Sequence, residues 1–144
     1  MKGFIQFFEQ KSEERKNLDA LIGRLPKKHQ KLLKHFDIKY TCKNTLNGDD
    51  EHIGIISGFD VEVAAPWRYS REFTTAHEIA HLVWEKILND DQREEWKKLC
   101  KLYKGEPKMN CEEVFCMVYA SNYSTHHIET YNIPELTDFI KTLD

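Results

Sequence analysis

The pentapeptide His77-Glu-Ile-Ala-His81 restricts the structure of this 144-residue chain more than any other part of the sequence. On a helix, residues four apart lie on one face about one turn apart, so both imidazoles can bind the same metal ion. Glu78 is rotated by about 100° from His77 on that helix, which lets its carboxylate touch a water in an open position of the ion. The pattern therefore predicts a catalytic zinc site on a helix.

The residues around the pentapeptide predict a buried helix from Ser70 to Leu88. Ser70 is a favourable N-cap. His77, His81 and Trp84 form a stripe with no charged residue between them. The alternative is that the two histidines lie on the surface of an ordinary helix. The side expected to be buried is apolar and comprises Phe73, Ala76, Ile79, Ala80 and Val83.

A catalytic zinc site of this kind needs a third protein ligand. The six residues after His81, Leu-Val-Trp-Glu-Lys-Ile, exclude the third histidine of the metzincin pattern. A carboxylate from a second helix is the other common solution, and Glu113 lies on an otherwise apolar helical segment. Asn110-x-x-Glu113 also matches a capping box, in which the glutamate bonds back to the N-cap amide. Other candidates are Glu112, which depends on the helix phase, and Cys111, Cys116, His126 and His127.

If Glu113 is the third ligand and Glu112 is not, substitution of these adjacent glutamates should have different effects on metal binding. We expect Glu113→Ala to lose metal and activity together, and Glu112→Ala to be nearly neutral. The softness of a thiolate would suit zinc, but Cys116 is interpreted mainly as a core residue. His126 and His127 are adjacent and seldom face the same way, so they are interpreted mainly as surface residues.

Hydrophobic periodicity predicts an α+β fold with N-terminal helices, a small three-stranded sheet, the pentapeptide helix and a helix for the third ligand. No repeat or linker interrupts the chain, so residues 1–144 are expected to form a single metallopeptidase-like domain. Three short strands are predicted within residues 37–65, and Asp60 to Ala64 is expected as an edge strand that could pair with a peptide. Helices are predicted at Phe4 to Phe8, Leu18 to Leu25, Lys27 to His35, Ser70 to Leu88, Asp90 to Tyr103, Cys111 to Tyr123 and Pro134 to Leu143.

Composition and charge argue against several classes of protein. No apolar run approaches the roughly 18 residues that a membrane span needs. The N-terminus lacks the apolar stretch of a secretory signal, so a cytoplasmic location is expected. The net charge of −3 argues against non-specific nucleic-acid binding, and the lysines from Lys27 to Lys34 are interpreted as a solvated helix face. The four cysteines contain no C-x-x-C pair and are expected to be reduced.

Two parts of the chain resemble gluzincin metallopeptidases, in which H-E-x-x-H is followed by a ligand glutamate. The segment from Phe73 to Val83, F-T-T-A-H-E-I-A-H-L-V, is similar to the first motif of ImmA/IrrE-type peptidases, which cut helix-turn-helix repressors. The segments from Asn110 to Tyr119, N-x-x-E-x-F-x-x-x-Y, and from Ser124 to Glu129, S-T-x-H-x-E, resemble the closing part of anthrax lethal factor-like catalytic domains. The resemblance implies Zn²⁺ on His77, His81 and Glu113.

The same resemblance implies Glu78 as the catalytic base and leaves the group that stabilises the oxyanion open. Lethal factor-like domains carry a tyrosine seven residues before the ligand glutamate, which helps to polarise the substrate carbonyl. Glu106 occupies that position here, so Tyr103 and His127 are the candidates for the role.

The predicted function is a zinc-dependent endopeptidase that hydrolyses a protein or peptide, with a zinc-bound water activated by Glu78. One alternative is an ImmA/IrrE-like regulatory protein that cleaves or binds a transcriptional repressor. Another is a non-catalytic binding module that zinc stabilises. A small regulator whose basic helix contacts nucleic acid or another partner is the remaining alternative.

Overall fold

The computed structural model describes residues 16–35, 37–40, 54–57, 60–63, 71–105 and 108–143. The predicted helix from Phe4 to Phe8, the predicted N-cap Ser70 and the cysteine Cys42 lie outside the described residues. Within the described ranges, no helix is both long enough and apolar enough to cross a membrane.

Helices account for most of the described residues, and they lie where hydrophobic periodicity predicts them. The helical residues 16–24 form α1 and end shortly before Pro26. Two short 3-10 turns, Cys100–Leu102 and Glu129–Tyr131, follow the fourth and fifth helices. The other helices are α2 (Lys27–Leu33), α3 (Arg71–Lys86), α4 (Asp90–Leu99), α5 (Cys111–Tyr123) and α6 (Pro134–Lys141).

Three strands of four residues each form a small mixed sheet, and they are β1 (Asp37–Tyr40), β2 (Gly54–Ser57) and β3 (Asp60–Val63). The central strand β3 is parallel to β1 and antiparallel to β2. The prediction of an edge strand from Asp60 to Ala64 is therefore wrong, because β3 is already paired on both sides.

The predicted α+β fold class is also wrong, because the described part of the protein is mostly helical. The buried core that the structure describes for the helical part of the chain is extensive and includes side chains from all six helices. Alternating apolar residues indicate short strands locally, but such strands are too short to supply the packing of a whole domain. In the described part of this protein, contacts between helices supply most of that packing.

The contact between α3 and α5 organises the described core, since these two helices lie side by side. Phe115 on α5 packs against Trp84 on α3, with ring centroids 5.3 Å apart. Trp96 on α4 is fully buried and packs on Phe115 at 5.4 Å and on Phe139 of α6 at 5.2 Å. The strands β2 and β3 lie beside α3. These aromatic contacts hold α3 and α5 in a fixed relation, which the site described below requires.

A disulfide between Cys100 and Cys111 joins the end of α4 to the first residue of α5. The expectation that the cysteines are reduced is therefore wrong for this pair, because the fold brings their Cα atoms to 5.8 Å. Trp96 donates a hydrogen bond from its indole N–H to the carbonyl of Cys111 at 2.7 Å. Both contacts fix the first turn of α5. Cys116 is a free, buried thiol.

Glu72 in the first turn of α3 anchors the segment that follows α5. Its carboxylate accepts hydrogen bonds from the backbone N–H and the hydroxyl of Thr125, at 3.0 and 2.8 Å. Arg24 at the end of α1 pairs with the same carboxylate and donates from Nε to the carbonyl of Tyr123 at 2.8 Å. The network ties α1, the start of α3 and the end of α5 together.

Candidate metal centre

His77 and His81 lie one turn apart on α3 and face α5, as the H-E-x-x-H spacing predicts. Their ring centroids are 5.1 Å apart, and their side chains are 15% and 21% exposed. The rings are therefore neither surface groups nor sealed in the core. The alternative of two histidines on the outside of an ordinary helix does not describe them.

The carboxylate of Glu113 on α5 lies between the two imidazoles. Its Oε2 atom is 3.2 Å from Nε2 of His77, and its Oε1 atom is 2.9 Å from Nε2 of His81. Ligand atoms bound tetrahedrally at about 2.0–2.1 Å from a zinc ion lie about 3.3 Å from one another. The two contacts to Glu113 are close to that spacing, and the three side chains offer donor types that zinc binds.

The N-terminus of α5 explains how Glu113 reaches both histidines. Asn110 is the N-cap, and its Oδ1 accepts a hydrogen bond from the backbone N–H of Glu113 at 2.8 Å. The side chain of Glu113 faces α3, where it contacts His77 and His81. The cap and the candidate ligand role are therefore compatible, because the cap uses the backbone of Glu113 and the site uses its carboxylate.

Glu112 contacts a different nitrogen from Glu113. Its Oε2 atom is 2.9 Å from Nδ1 of His81, the ring nitrogen opposite the one that faces Glu113. Nδ1 of His77 lies 3.2 Å from the sulfur of Met117. The sequence suggests Glu112 only as an alternative ligand and does not predict this contact with Nδ1. Its position in the first turn of α5, next to Glu113, is the feature of the sequence that could have suggested a contact with the histidines.

The charges of the site act on one another. Burial opposes protonation of His81, but its hydrogen bond to Glu113 and the charge of Glu78 outweigh burial and raise its pKa from 6.5 to about 9. Hydrogen bonds from His77 and His81 hold the pKa of Glu113 far below its usual range, against the effect of burial. Without a metal ion, the carboxylates of Glu113 and Glu78 stabilise the imidazolium form of His81, which in turn stabilises the ionised form of Glu113.

Glu78 is buried, with 7% of its surface exposed. Its charge contributes to the raised pKa of His81, the histidine one turn further along α3. A buried carboxylate beside candidate metal ligands fits the predicted role of a base that handles a proton.

Cys116 also lies near the histidines. The ligand atoms of His77, His81 and Cys116 are all within 4.8 Å of one another, as are those of His81, Glu112 and Glu113. Burial raises the pKa of the Cys116 thiol well above its usual value, and the neighbouring carboxylates raise it further. In the absence of a metal ion, Cys116 is therefore a neutral thiol.

The structure places the two candidate oxyanion residues in separate surroundings. Tyr103 stacks on Tyr131 with ring centroids 5.6 Å apart, and its phenol lies against Gly105, where a Cβ would come within 2.6 Å of the hydroxyl. His127 is exposed, and its Nδ1 atom donates to the carbonyl of Ser121 at 2.7 Å. Neither arrangement tests the predicted roles, which stay predictions.

His126 lies beside the first turn of α3 rather than among the candidate ligands. Its ring centroid is 5.5 Å from that of Phe73, one turn before His77 on α3. The hydrogen bonds of Thr125 to Glu72 place the segment there. The segment after α5 therefore contacts the first turn of α3, one turn before His77.

No protein-family model, curated protein or solved structure matches this chain. The gluzincin resemblance accordingly stays an interpretation of the two motifs.

Proposed function

We propose that the protein is a zinc-dependent endopeptidase that hydrolyses a protein or peptide. The observation that supports this most directly is the convergence of Nε2 of His77 and Nε2 of His81 on the Glu113 carboxylate, at 3.2 and 2.9 Å. The buried carboxylate of Glu78 accompanies them. Two imidazoles and one carboxylate are a common ligand set for catalytic zinc.

In this proposal His77, His81 and Glu113 hold Zn²⁺, and Glu78 acts as general base and then general acid. Bound zinc supplies a Lewis acid that makes water a stronger acid and polarises a carbonyl. Glu78 accepts a proton from the attacking water and delivers it to the leaving amine of the scissile bond. A structural zinc site would need no such carboxylate, so Glu78 favours catalysis.

Tyr103 and His127 remain our candidates for the donor that stabilises the oxyanion. His127 donates from Nδ1 to the Ser121 carbonyl, which fixes its ring. In the imidazolium form its Nε2 atom would also donate a hydrogen bond. Substitution of each residue in turn should separate them, because only the oxyanion donor should lower kcat with little effect on zinc binding.

The proposed function is tested with zinc-loaded protein, a library of quenched-fluorescence peptides and a purified helix-turn-helix repressor, the substrate class that the first motif implies. Glu78→Gln should keep zinc, because it removes no proposed ligand, and should lose turnover by about 100-fold or more. Asp90→Asn changes an exposed carboxylate on α4 and serves as the control. Full turnover by Glu78→Gln, or a zinc-loaded wild type that cleaves none of these substrates, would contradict the proposal.

A second candidate function, a non-catalytic module that zinc stabilises, is favoured by the position of Cys116. Its sulfur lies close enough to His77 and His81 to join them around one ion. Four protein ligands would close the coordination sphere, as in structural zinc sites. Co²⁺-loaded protein distinguishes the two, because a thiolate ligand gives an intense charge-transfer absorption that Cys116→Ser would abolish. The endopeptidase proposal expects no such absorption.

A cytoplasmic location also stays a proposal. The disulfide between Cys100 and Cys111 weighs against it, since disulfides persist mainly in oxidising compartments.

A further inference from the structure

We propose that Glu112 is a positioning residue that fixes the ring orientation and the tautomer of His81 for metal binding. The proposal rests on the proposed function, because it assigns a supporting role at the same zinc site. It replaces the expectation from sequence that Glu112→Ala is nearly neutral.

The geometry around His81 is the first argument. Glu112 and Glu113 are consecutive residues, yet they contact opposite nitrogens of one ring, Nδ1 and Nε2, each at 2.9 Å. An imidazole ring that is hydrogen-bonded at both nitrogens cannot rotate without losing both contacts. The imidazole plane is therefore held between two carboxylates of α5.

The chemistry of the contact is the second argument. An ionised carboxylate only accepts hydrogen bonds, so Nδ1 of His81 must carry the proton that the Glu112 contact uses. In the neutral imidazole, the lone pair then lies on Nε2, which faces Glu113 and the proposed ion. A carboxylate on the far nitrogen also makes a ligand histidine more basic.

A comparison with His77 is the third argument. Its Nδ1 atom faces the sulfur of Met117 at 3.2 Å, and a thioether is a weak acceptor. His77 therefore lacks, in this contact, the strong acceptor that Glu112 offers to His81. We expect the loss of Glu112 to act through His81 specifically.

The first turn of α5 is fixed well enough for Glu112 to hold a ring in place. Cys111, the preceding residue, is tied to α4 by the disulfide and by the indole of Trp96. Asn110 caps the same turn. Glu112 itself is 42% exposed at its side chain, so its removal leaves no buried cavity.

The test compares zinc affinity, measured by competition with a fluorescent chelator, in wild type, Glu112→Ala and Glu112→Gln. We expect Glu112→Ala to bind zinc about 10- to 100-fold more weakly, which is the effect of losing such a partner of a ligand histidine. Glu112→Gln should recover most of the affinity, because its amide oxygen still accepts from Nδ1. Glu94→Ala, at an exposed glutamate on α4 that pairs with Lys97, is the matched control and should be unchanged.

Two further readouts separate positioning from general damage to the fold. The unfolding temperature of the metal-free chains should differ little between Glu112→Ala and Glu112→Gln. In the zinc-loaded protein, nitrogen NMR should show a protonated Nδ1 on His81 in the wild type, and that proton should exchange faster with solvent in Glu112→Ala.

The outcomes are distinct. Unchanged zinc affinity in Glu112→Ala, in a wild type that binds zinc, overturns the positioning role and leaves the proposed function standing. Equal losses in Glu112→Ala and Glu112→Gln, with lower unfolding temperatures in both, also overturn it. A wild type that binds no zinc overturns the proposed function and the positioning role with it.

Discussion

The helices α4 and α5 begin with the same local pattern, and they use it differently. At α4, Asn89 accepts from the backbone N–H of Gln92 at 2.8 Å, and Gln92 accepts from the backbone N–H of Asn89 at 2.9 Å. This is a complete capping box. At α5, Asn110 accepts from the N–H of Glu113, but the carboxylate of Glu113 lies on the two histidines of α3.

The difference shows that a local motif does not by itself determine where its last side chain goes. Gln92 has its own helix end as partner. Glu113 has two imidazoles on α3 within reach, and an ionised carboxylate makes stronger hydrogen bonds to imidazole N–H groups than to a single amide. Glu113 therefore contacts α3 where Gln92 contacts its own helix end, and the predictions below test whether that difference reflects a metal site.

The largest effect should come from Glu113→Gln, which keeps the shape of the side chain and removes its charge. We expect zinc affinity to fall by more than about 100-fold, since a neutral amide is a poor zinc ligand compared with a carboxylate. Isothermal titration with Zn²⁺ measures this. The matched change at α4, Gln92→Glu, should leave zinc affinity unaltered, and an equal loss in both variants would show that the two helix ends do not differ in function.

The metal-free protein should also respond to pH through the α5 site. The folded-state pKa of His81 is raised from 6.5 to about 9, so its stabilising contribution is complete below pH 6.5 and is lost as the pH rises through 9. The full shift corresponds to about 3 kcal/mol, which partial solvent exposure reduces to about 2 kcal/mol. Urea unfolding at several pH values should reveal this decrease, and Glu113→Gln should flatten it.

At acidic pH, stability should change with pH in the opposite direction and increase as the pH rises. The pKa of Glu113 is lowered from 4.5, so its contribution is present above pH 4.5 and is lost as the pH falls further. Stability of the metal-free chain should therefore be greatest between about pH 4.5 and 6.5 as far as these two groups are concerned. A profile unchanged by Glu113→Gln on both sides would contradict the charge pairing described here.

The two N-caps should contribute to stability by similar, smaller amounts. Asn89→Ala and Asn110→Ala should each lower the free energy of unfolding by about 1 kcal/mol, because each leaves a first-turn N–H without its acceptor. Only Asn110→Ala should also weaken zinc binding, since the cap helps to hold Glu113 in place. Urea unfolding and zinc titration of the same two variants test the difference; equal zinc affinity would separate the cap from the site.

The smallest effect should come from Gln92→Ala. It removes the exposed return bond of the complete capping box, which should cost about 0.5 kcal/mol. Zinc affinity should not change. Thermal unfolding is sensitive enough to detect the difference, and a loss as large as that of Asn89→Ala would mean that the return bond matters as much as the cap itself.

Helix periodicity predicts how the candidate ligands are arranged on each helix, and whether they bind a metal stays a prediction. His77 and His81 face one way because they are one turn apart, and Glu113 was placed on the adjacent helix by its apolar surroundings. The helices were predicted for the same reason. The pairing of Glu112 with His81 was not, because it depends on the rotation of α5 relative to α3, which periodicity within one helix does not determine.

The sequence was misleading where a feature depends on distant contacts. The strands near β3 carry a local alternation, but the fold class depends on how much of the core the helices supply. The cysteines Cys100 and Cys111 meet only because α4 and α5 end and begin near each other. Neither result could be obtained from spacing alone.

The most direct test is the zinc content of the purified chain, measured by elemental mass spectrometry after zinc loading and desalting. Glu113→Ala and Gln92→Ala, which alter the last residue of the two helix-start motifs, are measured alongside. The account predicts one zinc per chain in the wild type and in Gln92→Ala, and essentially none in Glu113→Ala. Zinc retained by Glu113→Ala, or a wild type without zinc, would contradict the assignment of His77, His81 and Glu113 as a metal site.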